Sequence, residues 1–360
     1  MRYCTTIGID THVKKNEVCA LNTQTGEKAT ATLSGDPNQL ISWIEKSGFS
    51  EPVCCCYEAG PLGFGLARDL SAVGIDCVVV ATSKLPQRID RKKNDRVDAE
   101  WLSRMLAAGS VRSVYVPSKE EESLCHLSRL RGEVASDLRR AKQRVGAFLL
   151  LTKTSYTLTK KRFTKTFYRW AESYEFELPA DTFVFRHKIN AVLRIEERLL
   201  QIENEIEHLI GKNPVLAARM ARFRCIHGVG LVTAFTLVCE VYDFGRFRNG
   251  SAFASFVGLV PSENSSGQRV ANGRLTKTGN SHLRRILIEA ANCYSKPFKI
   301  AKTENVLVPE IVRIKAEKCA NRLRKRRVAL KERGIMPNKA KVAIARELCE
   351  WIYHIAVMST

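Results

Sequence analysis

The first third of the chain alternates between apolar and polar residues with short periods. Alternation over residues 3–9, 16–21 and 28–33 predicts three short strands joined by polar turns. Residues 37–47 place Leu40, Ile41 and Ile44 on one face, as an amphipathic helix does. The remaining pattern predicts a strand at 53–57, a helix at 63–72, a strand at 77–81 and a helix at 95–108.

Three strands followed by alternating helix and strand is the order of an RNase H-like α/β domain. Such a sheet would place Asp10 and Glu58 at neighbouring strand ends, while Asp95 and Asp98 share one helix face. Taken alone, each of these carboxylates is better explained as the cap of a turn or a helix. Together they favour a site for a hard divalent cation, Mg²⁺ or Mn²⁺.

Residues 119–215 are predicted to be helical, and their second half carries a heptad pattern. Six apolar residues recur there at spacings of three and four: Val192, Ile195, Leu199, Ile202, Ile206 and Leu209. This spacing is typical of a coiled coil. A second protomer and the basic helix at 120–151 are both possible partners for the seam. The pattern gives no assignment for 152–179.

A Gly-x-Gly turn marks the beginning of the C-terminal part. Gly228 and Gly230 precede an apolar helix that runs through Val241, an arrangement typical of a helix-hairpin-helix DNA element. Glycine would allow the backbone to approach a phosphate at the start of that helix. A tight helix-helix turn that binds nothing explains the motif equally well when it is considered alone.

Further on, a serine-rich turn is followed by basic residues. The serines are Ser262, Ser265 and Ser266, and the cations that follow are Arg274, Lys277, Arg284 and Arg285. A hydroxyl beside phosphate-binding cations is the layout of a serine nucleophile. Composition does not choose among the three serines, and a serine in such a turn is usually only a turn residue.

The charge of the chain is strongly positive and unevenly distributed. Its net charge is +21 and its pI is about 9.6, yet residues 1–80 hold 6 basic against 9 acidic residues. Between Asp137 and Glu172 there is no carboxylate, and a second basic block spans 313–333. The cations singled out in the two blocks are Arg139, Arg140, Arg324, Lys325, Arg326 and Arg327. Since solvated helix faces normally mix both signs, we expect these blocks to bind nucleic acid rather than a membrane.

The twelve cysteines lie mostly within apolar runs, with no CxxC pair and no zinc-type spacing. We therefore expect reduced core cysteines and a cytosolic protein. The longest apolar stretches are too short to span a bilayer.

Taken in order, these motifs resemble the DEDD transposases of the insertion sequence one-ten type, relatives of the Piv DNA invertase. The likeness spans nearly the whole chain. It rests on Ile-Asp-Thr at 9–11, Tyr-Glu-Ala-Gly at 57–60, Asn-Asp-Arg-Val-Asp-Ala at 94–99, Gly-Leu-Val-Pro at 258–261 and Ser-Ser-Gly at 265–267. The basic segment 301–360 departs from the family pattern, and its role is open.

The resemblance implies a transposase or recombinase of an insertion sequence that acts in a prokaryotic cytosol, associated with the nucleoid when active. Its RuvC-like domain would hold Mg²⁺ or Mn²⁺ on Asp10, Glu58, Asp95 and Asp98, and Ser266 would be the nucleophile, with Ser265 as the adjacent candidate. It further implies donor and target DNA, a structured noncoding bridge RNA as guide, and a homo-oligomer, either a dimer or a tetramer.

We expect four parts in the chain, which combine an α/β domain with mainly helical regions. They are a RuvC-like nuclease domain (1–115), a helical coiled-coil region (116–215), a serine-bearing transposase domain with a helix-hairpin-helix-like element (216–300) and a basic helical extension (301–360). Two other functions fit parts of the pattern. A RuvC-type Holliday-junction nuclease would use the carboxylates with water as nucleophile, and a non-catalytic nucleic-acid scaffold would use only the charge and the heptads.

Overall fold

The computed structural model describes residues 3–81, 85–86, 94–159, 161–263, 272–296, 298 and 308–358. The chain separates into two compact units, Met1–Ser118 and Lys119–Thr360. The finer division into four parts stays a prediction.

Among the helices described, none combines the length and the apolar character needed to cross a bilayer. All twelve cysteines carry free thiols, and most of them are buried.

The first unit is a mixed α/β sheet with helices, as the sequence predicts. Its elements are β1 (Thr5–Thr11), β2 (Lys15–Asn22), β3 (Lys28–Ser34), α1 (Pro37–Lys46), β4 (Val53–Glu58), α2 (Gly65–Ala72), β5 (Asp76–Val80) and α3 (Asp95–Ala107). The predicted boundaries of all eight elements are correct to within two residues. The strand order is β3-β2-β1-β4-β5, and β2 alone runs antiparallel to its neighbours.

The two faces of β1 have different roles because successive side chains of a strand point to opposite faces. Ile7 and Ile9 lie on one face, fully buried in a core that includes Leu40 of α1 and Leu70 of α2. On the other face, the Thr6 hydroxyl donates a hydrogen bond to the Ser103 carbonyl of α3 (3.1 Å). The face of β1 that carries Thr6, Gly8 and Asp10 is therefore the face that α3 covers.

Gly8 allows α3 to lie directly on β1. A Cβ atom at this position would stand 2.0 Å from the Ala99 carbonyl oxygen and 2.5 Å from the Ser103 amide nitrogen. Both atoms belong to the backbone of α3, so no side-chain rotation could relieve the clash. The close approach holds the first turn of α3 near the end of β1.

In the second unit, the described secondary structure is helical apart from one short hairpin. Its elements are α4 (Lys119–Leu151), α5 (Lys165–Ser173), α6 (Pro179–Lys212), α7 (Pro214–Arg224), α8 (Leu231–Val241), α9 (Gly250–Val257), β6 (Pro261–Glu263), β7 (Asn272–Leu275), α10 (Ser281–Asn292), α11 (Glu310–Glu332) and α12 (Pro337–Ala356). Its main core is formed by apolar residues of α7 to α12. The short helix α5 lies in the segment that the sequence pattern left unassigned.

The heptad seam of α6 packs against α4 of the same chain. Ion pairs join Arg131 to Glu203 and Lys142 to Glu196, and their order along the chain makes the two helices antiparallel. Val192 and Ile206 of the seam are buried within this unit. Of the two partners that the sequence left open, the basic helix is thus the one that the structure shows.

A buried carboxylate connects three helices of the second unit. The side chain of Glu240 on α8 is only 2% exposed, and it accepts hydrogen bonds from Arg129 on α4 at 2.9 and 3.1 Å. It also accepts a bond of 2.7 Å from the side-chain amide of Asn280, whose oxygen caps α10 at the Leu283 amide. Burial opposes ionisation of Glu240, but the bonds from Arg129 and Asn280 outweigh it and hold the pKa of Glu240 below its ordinary value.

We expect Gly8→Ala to lower the free energy of unfolding of the first unit by about 1–3 kcal/mol, because α3 must move away from β1. Gly65→Ala is the matched control, since a Cβ there meets no atom within 4 Å. This control substitution lies at the start of α2 and should be neutral or slightly stabilising. Chemical unfolding followed by circular dichroism measures both effects. Equal changes for the two variants would contradict the close contact.

We expect Glu240→Gln to destabilise the second unit by about 1–3 kcal/mol at neutral pH, because charged hydrogen bonds to a buried group are lost. The folded pKa of Glu240 is lowered, so its stabilisation is complete above about pH 4.3 and is lost as the pH falls through the folded value. The difference between wild type and variant in urea unfolding should therefore shrink in acid.

Glu289→Gln is the control for this experiment. Glu289 is 66% exposed and pairs with Arg285 at 3.8 Å, a contact worth no more than about 0.5 kcal/mol. If Glu240→Gln were as mild as this control at neutral pH, the network around Glu240 would not support the fold.

Candidate active site of the first unit

Asp10, His12 and Asp95 converge at one end of β1. The Nε2 atom of His12 lies 3.3 Å from Oδ2 of Asp10 and 3.5 Å from Oδ2 of Asp95. One ligand atom from each of the three residues can be chosen so that all lie within 4.8 Å of one another. Two carboxylates and an imidazole at this separation could hold one cation between them.

Local sequence explains why α3 presents Asp95 at this point. Asn94 is the N-cap of α3, and its side chain accepts a hydrogen bond from the Arg96 amide (3.2 Å). Asp95 and Asp98 follow in the first turn, where the positive end of the helix dipole favours carboxylates. The contact at Gly8 then holds this turn next to Asp10.

Glu58 and Asp98 lie outside the closest group but near it. Glu58 is the last residue of β4, and the pairing of Ile9 with Tyr57 places it beside Asp10 on the neighbouring parallel strand. The charge of Asp98 contributes to raising the pKa of Asp10. Among the residues described, the closest group therefore contains two of the four predicted carboxylates, and the other two stand beside it.

The pKa values of Asp10 and Asp95 are shifted in opposite directions, because burial dominates at Asp10 and a hydrogen bond from Lys15 dominates at Asp95. Burial raises the pKa of Asp10; His12 lowers it, and the repulsion from Asp95 and Asp98 raises it again, for a net rise. A hydrogen bond from Lys15 holds the pKa of Asp95 below its ordinary value. A divalent cation would relieve the repulsion between these carboxylates, and carboxylate oxygens are the ligands that Mg²⁺ and Mn²⁺ prefer. The residues present fit such a metal.

Three further residues of the site come from the β1–β2 hairpin: His12, Lys15 and Glu17. Glu17 pairs with Asp10 across the two strands, and its side chain is only 7% exposed. Sequence reasoning missed all three. The available signal was the alternation itself, because His12 stands two residues after Asp10 and an antiparallel hairpin brings Glu17 opposite Asp10.

Ser265 and Ser266 lie outside the described residues, but the strands on either side of them are described. β6 pairs with β7 in antiparallel orientation, and the Thr276 amide donates a hydrogen bond to the Val260 carbonyl (3.0 Å). Ser262, the remaining candidate, donates its hydroxyl to the Arg274 carbonyl (3.0 Å). That hydroxyl thus has a structural role within the hairpin.

The basic residues near this hairpin differ in their surroundings. The side chains of Arg274 and Lys277 are exposed. Arg284 is half-buried and donates to the Val257 carbonyl at 2.9 Å, so it holds the end of α9. Arg285 is exposed and lies near Glu289. Arg274 and Lys277 are therefore the more accessible candidates for phosphate contact.

The two glycines of the helix-hairpin-helix-like turn also differ. Gly228 has a positive φ of 84°, and a Cβ there would stand 2.7 Å from the Ala290 carbonyl of α10. This glycine is thus required by internal packing. Gly230 precedes α8, and a Cβ at Gly230 would meet no atom within 4 Å. Phosphate contact at this turn stays a prediction. Gly230 is the better candidate of the two glycines, because the space around it is open.

The predicted basic blocks lie on α4 and α11. Arg139 and Arg140 are exposed on α4, where Arg140 pairs with Asp137. On α11, Arg324 and Lys325 are exposed, and the three arginines of this block also make contacts within the chain. Arg326 pairs with Glu347, Arg327 donates to the Pro337 carbonyl, and the guanidinium of Arg324 lies over the ring of Phe298. Part of this block therefore stabilises the packing of α11.

Comparison with known proteins finds relatives of this chain among transposases. The family model described as "Transposase IS116/IS110/IS902 family" matches residues 220–304, and a transposase model of the DEDD, IS110 type matches residues 7–154. The chain is 32% identical to "Putative transposase y4qE" of Sinorhizobium fredii over 97% of its own length and 88% of that protein. It is 28% identical to "Transposase for insertion sequence element IS1533" of Leptospira borgpetersenii over 93% of its length and 98% of that protein.

A more distant relative is "Transposase for insertion sequence element IS1111A" of Coxiella burnetii, at 24% identity over 64% of this chain. The two family models together match most of the first unit and, in the second unit, α4, the end of α7 and the segment that carries α8 to α10. The chain belongs to the IS110 family of insertion-sequence transposases.

Proposed function

We propose that this transposase cuts DNA at a metal centre formed by Asp10, Glu58, Asp95 and Asp98, and joins the cut strand to Ser266. The observation that carries the proposal is the convergence of Asp10 and Asp95, from β1 and α3, within reach of one cation. The strand order of the first unit supports an RNase H-like, RuvC-like domain for this chemistry.

A bound Mg²⁺ or Mn²⁺ supplies a Lewis acid that polarises the scissile phosphate and stabilises the leaving oxygen. The four carboxylates hold and orient that ion. In the serine step, a bond forms between Ser266 Oγ and phosphorus as the bond to the leaving DNA oxygen breaks. The serine loses its proton, and the leaving oxygen takes one up. The phosphoserine link conserves the energy of the phosphodiester, so strands can be rejoined without ATP.

Exposed cations of the second unit would hold the nucleic acid during these steps. Arg139, Arg140, Arg274, Lys277 and Lys325 present positive charge at the surface. Lys and Arg contacts to phosphates supply most of the affinity of such proteins for nucleic acid, whatever its sequence. The same cations suit a structured bridge RNA that pairs with donor and target DNA.

A dimer or tetramer would let the metal centre of one protomer act with the serine of another. The helical region 116–215, the serine-bearing region 216–300 and the basic extension 301–360 would then act as separate parts of one assembly. The exposed apolar side chains Leu150 and Leu151, at the end of α4, are available for contact between protomers.

We expect Asp10→Asn and Asp98→Asn each to reduce DNA cleavage at least a hundredfold while DNA binding stays within about twofold, since catalysis by a metal depends on its ligands. The exposed Asp36, the N-cap of α1, provides the matched control as Asp36→Asn. Gel assays of strand cleavage and filter binding measure the two properties. Cleavage by Asp10→Asn at the wild-type rate would refute the metal centre.

We expect Ser266→Ala to remove the denaturant-resistant protein–DNA adduct and the recombinant product, because no other hydroxyl then forms the covalent link. Ser265→Ala tests the neighbouring position and should retain the adduct. An adduct lost only in Ser265→Ala would assign the nucleophile to Ser265. Cleavage without any adduct in the wild type would instead favour a RuvC-type nuclease that uses water.

A further inference from the structure

Lys15 contacts residues of the proposed metal site, but the function proposed above gives Lys15 no role. Its Nζ atom lies 3.1 Å from Oδ2 of Asp95 and 3.2 Å from Oε1 of Glu17. One ammonium group thus bridges a proposed metal ligand and a carboxylate on its own strand. Lys15 is about half exposed, so it is accessible to an approaching phosphate.

Glu17 is the fixed end of this bridge. Its side chain is 7% exposed and accepts a hydrogen bond of 2.9 Å from the Thr32 hydroxyl on β3. Arg96 of α3 lies 3.5 Å from the same carboxylate. Burial opposes ionisation of Glu17, but Thr32 and Lys15 outweigh it and lower the pKa of Glu17. Glu17 is therefore a charged anchor that holds Lys15 near the site.

The contact between Lys15 and Asp95 competes with metal binding. The oxygen that Lys15 contacts is the one that faces His12, in the group that could hold a cation. An ammonium and a divalent cation both bind by attraction to the same carboxylate, and they repel each other at short range. A metal on Asp95 must therefore weaken or displace the contact with Lys15.

We propose that Lys15 is a tethered counter-ion that neutralises Asp95 before the metal binds and contacts the scissile phosphate afterwards. This inference rests on the proposed metal centre. With Asp95 bound to the metal, Lys15 would remain paired with Glu17 and keep a positive charge beside the end of β1. The DNA phosphate is the anion that arrives at this edge. Because Lys15 both competes with the metal and contacts the substrate, its removal has opposite effects on metal affinity and on cleavage.

The test uses the full-length chain with Mn²⁺ as the probe in isothermal titration calorimetry. Lys15→Met keeps the length of the side chain and removes its charge. We expect this variant to bind Mn²⁺ roughly 3- to 10-fold more tightly than wild type, because the competing ammonium is gone. At saturating Mn²⁺ it should nevertheless cleave DNA roughly 10-fold more slowly, since the phosphate loses a positively charged partner.

Lys14→Met is the matched control. Lys14 is exposed in the same turn and makes no ion pair with any residue that the structure describes. It should change neither the Mn²⁺ affinity nor the cleavage rate by more than about twofold. Lys15→Gln, which is also neutral but polar, should reproduce Lys15→Met, and thermal unfolding of each variant verifies that the fold is retained.

The possible failures are distinguishable. If Asp10→Asn binds Mn²⁺ as well as wild type does, the metal centre itself is wrong. If Asp10→Asn abolishes binding while Lys15→Met leaves the affinity unchanged or weaker, the metal centre stands and the counter-ion role is refuted. Tighter Mn²⁺ binding without slower cleavage would refute the phosphate contact and with it the proposed sequence of roles.

Discussion

The contact between α3 and β1 at Gly8 is the constraint on which the candidate active site depends. No side chain separates the two backbones at this point, and even a single Cβ would overlap the Ala99 carbonyl. The helix therefore begins close to the strand end, where Asp95 meets Asp10. If α3 lay farther from β1, each carboxylate would stand alone in solvent. Neither carboxylate would then share a cation with the other. Backbone packing thus determines the chemistry that the side chains can perform.

The second unit depends on a buried carboxylate in a similar way. Glu240 connects α4 and α8 to the cap of α10, and the backbone amide of Asn280 also donates to the Phe256 carbonyl. Breaking one partner of such a network leaves another charge poorly solvated. The cap of α10 and the end of α9 are therefore both joined to this buried network.

Much of the first unit could be predicted from sequence because its signals are local. Period-2 alternation located the strands, and each of Asp10 and Glu58 ends or follows a buried strand, so their positions at the sheet edge could be inferred. Asn94 followed by two aspartates is a recognisable helix start. The mixed α/β architecture is accordingly confirmed, while the joint role of the four carboxylates stays a prediction.

The features that could not be predicted from sequence depend on pairings between residues far apart in the chain. Lys15 and Glu17 could not be placed beside Asp95 without the hairpin register and the position of α3. Arg284 and Arg326 look like any other basic residues until the Val257 carbonyl and Glu347 are seen to face them. The partner of the α6 seam was undecidable for the same reason, since a heptad pattern is identical for a hairpin and for a dimer.

Carboxylates from β1, β4 and α3 are proposed to hold one metal centre, and anomalous diffraction from crystals grown with Mn²⁺ would locate the ion. We predict an anomalous peak at the end of β1, within about 2.6 Å of oxygens from Asp10 and Asp95. Glu58 or Asp98 should complete its coordination directly or through water. Ordered Mn²⁺ elsewhere in the molecule, with Asp10 and Asp95 free of metal at saturating concentration, would contradict this account of the active site.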